Sequence, residues 1–148
     1  MTIADDTKSL SIEITGYEFA YTHRREPYDS DNNWLYIQVK YSDKDREWRC
    51  AGPALLTCEA ESLVEFLCNP PGEGVGAAEI EFIEPNLSFI ISRRGKAGYT
   101  LTVILSLEFN PPFSGKKYFK LEFEASADEL SGLASQMEGQ ISRFPVRR

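Results

Sequence analysis

The sequence of 148 residues is poor in the residues that build metal centres and disulfide frameworks. It has one histidine and three cysteines, and no apolar run reaches the roughly 18 residues that a membrane-spanning helix needs. The cysteines are odd in number and far apart, which argues against disulfides and metal ligation and favours a reducing compartment. They are Cys50, Cys58 and Cys68. We therefore expect reduced thiols, no metal, no cofactor and a fold held by its hydrophobic core.

Positive charge is also in short supply. Sixteen lysines and arginines stand against 23 aspartates and glutamates, which gives a formal net charge of −7. This balance argues against a nucleic-acid partner, because phosphate binding needs clustered cations. An acidic surface attracts a basic protein, although the same balance is typical of a protein that is simply soluble. Residues 1–6 have neither the basic nor the apolar segment of a secretion signal, so we expect a cytoplasmic protein with no membrane partner.

The sequence contains no recognisable catalytic motif. His23 lies beside Arg24 and Arg25 in a loop, where a histidine is usually a solvated side chain. The stretch Gly72–Ala77 matches the G-x-G-x-x-A pattern, but a dinucleotide-binding loop follows a strand and opens a helix, and this stretch does the reverse. We therefore predict that the protein is not an enzyme. An apolar pocket with convergent polar groups would favour a small-molecule or enzymatic function instead.

Alternation of apolar and polar residues predicts strands over much of the chain. The clearest run is Tyr99–Phe109, in which every second residue is apolar, and a second run ends at Phe123 after a proline-rich turn. Trp34–Tyr41 has one apolar face and two aromatic residues on the other face. Near the N-terminus the apolar phase shifts by one residue at Gly16, which predicts a β-bulge or a break between two strands.

Two stretches with apolar residues at helical spacing follow predicted strands. Thr57 is a suitable N-cap for the first helix, and a pair of prolines ends it. Ser126 and Glu129 have capping-box spacing at the start of the second helix, whose apolar stripe extends to Phe144 before a closing proline. The predicted fold class is α+β: a single domain over residues 1–148, with a twisted, mainly antiparallel sheet of about seven strands and two helices packed on one face. Each helix follows a hairpin, which indicates a weak internal half-repeat.

Six short segments form an ordered set along the chain. They are Asn33–Leu35, Pro53–Thr57, Glu84–Phe89, Pro111–Phe113, Phe123–Ser126 and Phe144–Arg147. In this order and spacing they resemble a bacterial family of small proteins related to the wall-associated-protein immunity (WapI) family. The resemblance implies a cytoplasmic antitoxin that binds and neutralises a polymorphic toxin domain delivered by a neighbouring cell. It carries over no contact residue, because such families diversify at the partner surface.

The leading functional hypothesis is an immunity protein that occludes a toxin domain by steric contact. Tryptophan and tyrosine dominate binding hot spots, and acidic groups would take the place of phosphates if the toxin is a basic nuclease. The candidate contacts are Asp29, Asp31, Trp34, Tyr36, Asp43 and Asp45. The same residues are also consistent with a solvated loop and a packed strand. The alternative is a structural or regulatory protein-interaction module that self-associates through an open sheet face.

Overall fold

The computed structural model describes residues 1–21 and 30–147. This part of the chain contains eight β-strands and two α-helices. The strands are β1 (Thr2–Ala4), β2 (Lys8–Tyr17), β3 (Trp34–Asp43), β4 (Glu47–Leu56), β5 (Ala77–Glu81), β6 (Leu87–Arg94), β7 (Gly98–Ser106) and β8 (Tyr118–Ser126). The helices are α1 (Thr57–Cys68) and α2 (Ala127–Ile141).

In the described ranges the strands form two separate antiparallel sheets, so the prediction of one sheet of about seven strands is wrong. Sheet I has the order β1-β2-β3-β4, and sheet II has the order β5-β6-β7-β8. Neighbours within each sheet are consecutive along the chain, as predicted. Between β4 and β5, however, α1 and the glycine-rich stretch 72–76 separate the strands, and this long connection lets the chain begin a new layer. The eighth strand is β1, whose three residues are too few to show alternation.

Each sheet is followed directly by a helix, so the order of four strands and one helix occurs twice in the described residues. The predicted half-repeat is thus visible at the level of element order. The helices contact each other more extensively than either contacts a strand. α1 contacts β4, whereas α2 contacts β8 of sheet II and β1 and β2 of sheet I. The helix pair therefore bridges both sheets, instead of lying on one face of a single sheet.

Side chains from both sheets and both helices share a hydrophobic core. Alternate residues from Leu35 to Tyr41 in β3 are buried, and so are alternate residues from Leu101 to Leu105 in β7. The Tyr41 ring of sheet I meets the Phe119 ring of sheet II edge-on, with 5.1 Å between centroids. The sheets are thus joined through their inner faces, and the outer faces are left for other contacts.

The irregularity predicted at Gly16 is confirmed, because the register of β2 against β3 shifts between Ile14 and Gly16. On its other side, β2 pairs with β1 only over Ser9–Ser11, so its further backbone groups need other partners. The Gln140 side chain of α2 accepts a hydrogen bond from the Ile14 N–H at 2.6 Å and donates one to the Ile12 carbonyl at 3.2 Å. Met1 extends the pairing to Ile12, whose N–H donates to the Met1 carbonyl and whose carbonyl accepts from the Met1 amino group. The buried glutamine therefore anchors α2 to β2 where that pairing ends.

The strand predicted over Tyr99–Phe109 ends earlier, at Ser106. Leu107 has φ 52°, in the left-handed region that non-glycine residues rarely adopt. It begins a 3-10 turn over Leu107–Phe109. Alternation between two faces holds only in extended backbone, so Leu107 is 57% exposed although its position in the pattern predicted burial. Phe109 is buried as predicted.

The helix starts are close to the predicted positions. Ser126 and Glu129 form the predicted capping box, in which Glu129 N–H donates to Ser126 Oγ at 3.1 Å and Ser126 N–H donates to Glu129 Oε2 at 2.7 Å. Thr57 is the first residue of α1 and not its N-cap, which is Leu56. The Glu59 carboxylate supplies the missing cap by accepting from Leu56 N–H at 2.8 Å. The carboxylate thus binds the N–H of the N-cap residue itself, whereas an N-cap threonine hydroxyl would have accepted from an N–H inside the first turn.

Candidate protein-binding surface

The predicted contact residues divide between the two ends of β3. Trp34 is the first residue of this strand and Asp43 is its last, so about 30 Å separates them at a rise of about 3.3 Å per residue. Tyr36 lies at the Trp34 end, whereas Asp45 follows Asp43 in the turn to β4. The predicted set is therefore two surfaces and not one.

The acidic segment before β3 belongs to the Trp34 end. Asp31 is exposed in the 3-10 turn Asp31–Asn33 that leads directly into the strand. Asp29 and His23 lie outside the described residues, together with most of the loop predicted over Thr22–Asn33. Asp31 is thus the predicted acidic residue that the structure places beside the aromatic end of β3.

Four apolar side chains form a surface at this end of sheet I, which we call the aromatic patch. Its members are Phe19, Trp34, Tyr36 and Pro53. Phe19, Trp34 and Pro53 line a shallow groove of about 220 Å³ together with Glu18 and Glu84. Tyr36 is directly opposite Pro53 in the ladder between β3 and β4, and opposite residues project from the same face. Phe19 is 50% exposed and Tyr36 is 36% exposed, so the patch offers apolar area to a partner.

The position of the patch follows from the alternation in β3. Leu35 and Ile37 point into the core and are 0% exposed, so Trp34 and Tyr36 stand on the outer face. The Glu18 N–H donates to the Trp34 carbonyl at 2.8 Å and continues the pairing beyond the end of β2. This hydrogen bond brings the following phenylalanine alongside Trp34.

Two further apolar residues are exposed in the turns that follow β5 and β7, and neither was among the predicted contacts. Ile83 precedes the groove residue Glu84 in the turn between β5 and β6 and is 67% exposed. Leu107 adjoins the same turn, because the Ser106 N–H donates to the Asn86 carbonyl at 2.9 Å. Alternation predicted a buried Leu107, and only its left-handed backbone turns the side chain outward.

The groove carries uncompensated negative charge. Within the described residues, Glu18 and Glu84 take part in no ion pair and no side-chain hydrogen bond. Some carboxylates elsewhere on the surface are paired: Glu122 lies 2.7 Å from Lys120 Nζ, and Glu124 pairs with Arg94. The aromatic patch is therefore flanked by two carboxylates that have no cation partner within residues 1–21 and 30–147.

The residues after α2 pack behind the patch. The helix ends at Ile141, so Phe144 lies beyond the helix that was predicted to include it. The Phe144 ring meets the Tyr17 ring edge-on at 5.7 Å, and the Tyr17 hydroxyl donates to the Pro145 carbonyl. Burial raises the pKa of the Tyr17 phenol. We call residues 142–147 the strap, because they tie α2 to the end of β2.

Asn33 and Arg147 lock the strap to sheet I. Asn33 is 0% exposed, and its side chain accepts from the Arg147 N–H at 2.8 Å and donates to the Arg147 carbonyl at 2.9 Å. Thr57 Oγ1 donates to the same Asn33 oxygen at 3.3 Å. The Arg147 guanidinium lies 3.3 Å over the Tyr17 ring and donates to the Phe19 carbonyl at 2.9 Å. The contacts of Asn33 and Arg147 therefore fix the backbone that carries the aromatic patch.

At the other end of β3, the Asp43 carboxylate accepts several hydrogen bonds from residues in and next to its own turn. It accepts from the Tyr41 hydroxyl at 2.7 Å, from Arg46 Nη2 at 2.8 Å and from the Asp45 N–H at 2.9 Å. The bond from Tyr41 is the largest of the effects that hold the pKa of Asp43 below its usual range. Burial, followed by the bond to Asp43, raises the pKa of Tyr41 to about 12. This geometry is that of a structural turn.

Asp45 is the accessible carboxylate at the Asp43 end. Its side chain is 70% exposed and lies 3.7 Å from Lys44 Nζ. Both residues line an open cleft of about 420 Å³. Arg46 forms another wall of this cleft and stacks over the Phe113 ring at 4.5 Å. Cations are thus mixed with the carboxylates here, in contrast to the groove beside Trp34.

No disulfide bond joins the three cysteines, all of which lie in the described ranges. Cys50 is half-buried, and burial raises the pKa of its thiol to about 11. In residues 1–21 and 30–147, no group of three or more histidine, cysteine, aspartate and glutamate side chains is arranged to hold a metal ion. None of the helices in these ranges combines the length and the apolar character that crossing a membrane requires.

The fold is similar to that of plant proteins of known structure. The plant transcriptional regulator PBF-2 matches with a TM-score of 0.51 and 10% identity, over 95% of this chain and 79% of that chain. WHY1 from Arabidopsis thaliana matches with a TM-score of 0.51 and 9% identity, over 95% of this chain and 87% of that chain. WHY3 from the same plant matches with a TM-score of 0.50 and 13% identity, over 97% and 90%. At such identities the likeness concerns the fold alone.

Sequence comparison gives the family. No curated protein matches the chain. The model of the immunity protein WapI-like family matches residues 1–145, which agrees with the resemblance carried by the six segments. The chain therefore belongs to the WapI-like immunity protein family.

Proposed function

We propose that this protein is an immunity protein that binds a polymorphic toxin domain in the cytoplasm and neutralises it. Membership of the WapI-like immunity family over residues 1–145 is the observation that carries the proposal. The proposed mechanism is non-catalytic occlusion, in which a standard interface of about 1,600 Å² covers the active site of the toxin. The aromatic patch supports a protein partner, because exposed tryptophan and tyrosine side chains are typical of binding hot spots.

A co-expression experiment tests this function. The toxin domain encoded by the gene next to this one is induced in a host cell with and without this chain. We expect growth arrest with the toxin alone, growth with both proteins, and co-purification of the two as a complex. Growth arrest in spite of soluble immunity protein, with no complex recovered, would overturn the proposal.

Self-association through the open face of sheet I is the second candidate function. The exposed aromatic residues of the patch favour it, and sedimentation velocity of the purified protein tests it. A tight dimer that Tyr36→Ser dissolves would support self-association, and a monomer at micromolar concentration would overturn it. A role in transcription, like that of the plant regulator with a similar fold, is disfavoured by the net charge of −7, which repels phosphates.

A further inference from the structure

We propose that the aromatic patch is the surface on which the partner docks, and that the partner inserts a segment combining an arginine or lysine with an adjacent apolar side chain. The inference rests on the proposed function and names the site and the chemistry of the segment. Two independent features of the same groove carry it: its exposed apolar walls and its unbalanced carboxylates.

The apolar walls provide the affinity. Trp34 and Pro53 form the sides of the groove, and Phe19 stands half exposed at its edge. A groove of about 220 Å³ has room for one large side chain and not for a drug-sized ligand, whose pockets measure roughly 300–1,000 Å³. Ile83, which directly precedes the groove residue Glu84, is a further exposed apolar side chain. The occupant is thus a side chain carried by a larger partner surface.

The two carboxylates of the groove favour a cationic side chain as its occupant. Glu18 and Glu84 line the groove, are half-buried and have no cation partner among the described residues. The guanidinium of Arg147, which contacts the backbone of the groove residue Phe19, is already engaged by the Tyr17 ring and the Phe19 carbonyl. An incoming arginine or lysine would offset one of these two negative charges and could lie over the face of Trp34, an arrangement that adds a cation–π contribution.

The same charges disfavour a second copy of this chain as the occupant. Two copies related by a two-fold axis present the same surface to each other. Glu18 and Glu84 of one copy would then face the same carboxylates of the other, and like charges at an interface oppose association. A basic partner removes this repulsion and gains from the overall charge of −7 during diffusional approach.

The groove is also held in shape before any partner arrives. Trp34 begins a strand whose neighbouring residue Leu35 is 0% exposed, and its carbonyl is bonded to Glu18 N–H. Arg147 and Asn33 hold the neighbouring backbone through the strap. A preformed surface loses little conformational freedom on binding, which favours a high affinity from a small number of hot-spot residues.

Titration of the purified toxin domain against variants of the full chain tests the surface. We expect Trp34→Ala to weaken binding by at least about 30-fold, the effect of a hot-spot residue. The double change Glu18→Lys with Glu84→Lys reverses the charge of the groove, and we expect it to weaken binding by about 10- to 100-fold, mainly through slower association at low salt. The matched control, Glu73→Lys with Glu138→Lys, makes the same change in charge at exposed positions outside the groove and should change the affinity less than threefold.

Tryptophan fluorescence locates the contact independently of the charges. The chain has two tryptophans, so Trp48→Phe leaves Trp34 as the reporter in the patch, and Trp34→Phe leaves the half-buried Trp48 outside it. We expect toxin binding to shift the emission of Trp34 and to leave that of Trp48 unchanged, provided that the toxin domain is itself free of tryptophan or has its tryptophans replaced.

The possible results distinguish an error in the docking surface from an error in the proposed immunity function. If the toxin binds the wild-type chain but the groove variants bind as tightly as the controls, the docking surface is wrong and the immunity function stands. If the wild-type chain does not bind the toxin, both are wrong. Urea denaturation of each variant verifies that it is folded, and Tyr36→Ser, compared with Tyr118→Ser at an exposed tyrosine on β8, gives a second test that alters no charge.

Discussion

The two ends of β3 carry similar residue types but differ in how their charges are used. At the Asp43 end, the carboxylate accepts hydrogen bonds from Tyr41, Arg46 and the backbone of its own turn. At the Trp34 end, Glu18 and Glu84 lie beside aromatic rings and have no cation partner in the part of the chain that the structure describes. A saturated carboxylate stabilises the fold, whereas an unsaturated one beside apolar surface is available to a partner. Acidic residues therefore indicate a binding surface only when their own hydrogen-bond partners have been accounted for.

The largest expected effect is unfolding of the whole protein, which would destroy the surfaces at both ends of β3. Leu105 is 0% exposed in β7 and faces the core that the two sheets share. Leu105→Asp places an unpaired charge there, which costs more than about 4 kcal/mol, comparable with the whole stability of a typical domain. We expect an unfolded or insoluble protein by circular dichroism. Lys120→Asp on the exposed face of the neighbouring strand β8 is the control, and a folded Leu105→Asp protein would show that the core has been assigned to the wrong face.

The next effect destabilises the Trp34 end alone. Asn33→Ala removes the partner of the Arg147 N–H, the Arg147 carbonyl and the Thr57 hydroxyl. Leaving these buried groups unsatisfied costs about 3 kcal/mol, and we expect a matching fall in the free energy of unfolding in urea. Asn69→Ala, which removes an exposed amide at the end of α1, should cost less than about 1 kcal/mol. Equal losses in the two variants would contradict the role assigned to the strap.

The third prediction concerns the pH dependence of folding stability that Asp43 produces. The pKa of Asp43 is lowered in the folded state, chiefly by the hydrogen bond from Tyr41. The resulting stabilisation is fully present above the unfolded pKa of about 3.9 and is lost as the pH falls through the folded value. We expect Asp43→Asn to have a lower urea midpoint than the wild type at pH 7, and the difference to shrink below about pH 4. A constant difference from pH 7 to pH 2 would mean that the charge of Asp43 contributes nothing.

The smallest expected effect concerns toxin binding at the Asp43 end. Asp45 is exposed and already lies near Lys44, so Asp45→Lys should change the toxin affinity less than about twofold, as expected for a charge outside the contact surface. A loss similar to that expected for the double change Glu18→Lys with Glu84→Lys would transfer the docking surface from the Trp34 end to the Asp43 end.

Local signals in the sequence were sufficient for most individual elements. The alternation of β3, the phase shift at Gly16 and the capping box of α2 all have direct structural counterparts. The division into two sheets was not predictable in this way, because alternation specifies which face is buried and not which strands pair. The three-residue β1 and the left-handed Leu107 also leave no periodic signal.

The candidate site was only partly predictable for the same reason. Trp34 and Tyr36 could be found as aromatic residues on the polar face of a strand, and the structure exposes Tyr36 there. Glu18, Pro53 and Glu84 are distant in sequence and meet only through the tertiary fold. Conversely, Asn33 and Phe144–Arg147 belong to the segments that carry the family resemblance, and their contacts are internal. The family segments therefore supply both the scaffold behind the patch and, through Trp34, Pro53 and Glu84, part of the groove itself.

Amide hydrogen exchange of the chain with and without the toxin domain tests the central claim most directly. The account predicts new protection in the segments that border the groove, residues 17–21 and 83–86, with no change in the turn at residues 43–46. Because exchange reports backbone opening, Tyr118 in β8 and the residues around it serve as an internal reference on sheet II. Protection confined to residues 43–46, or to sheet II, would contradict the docking of a partner on the aromatic patch.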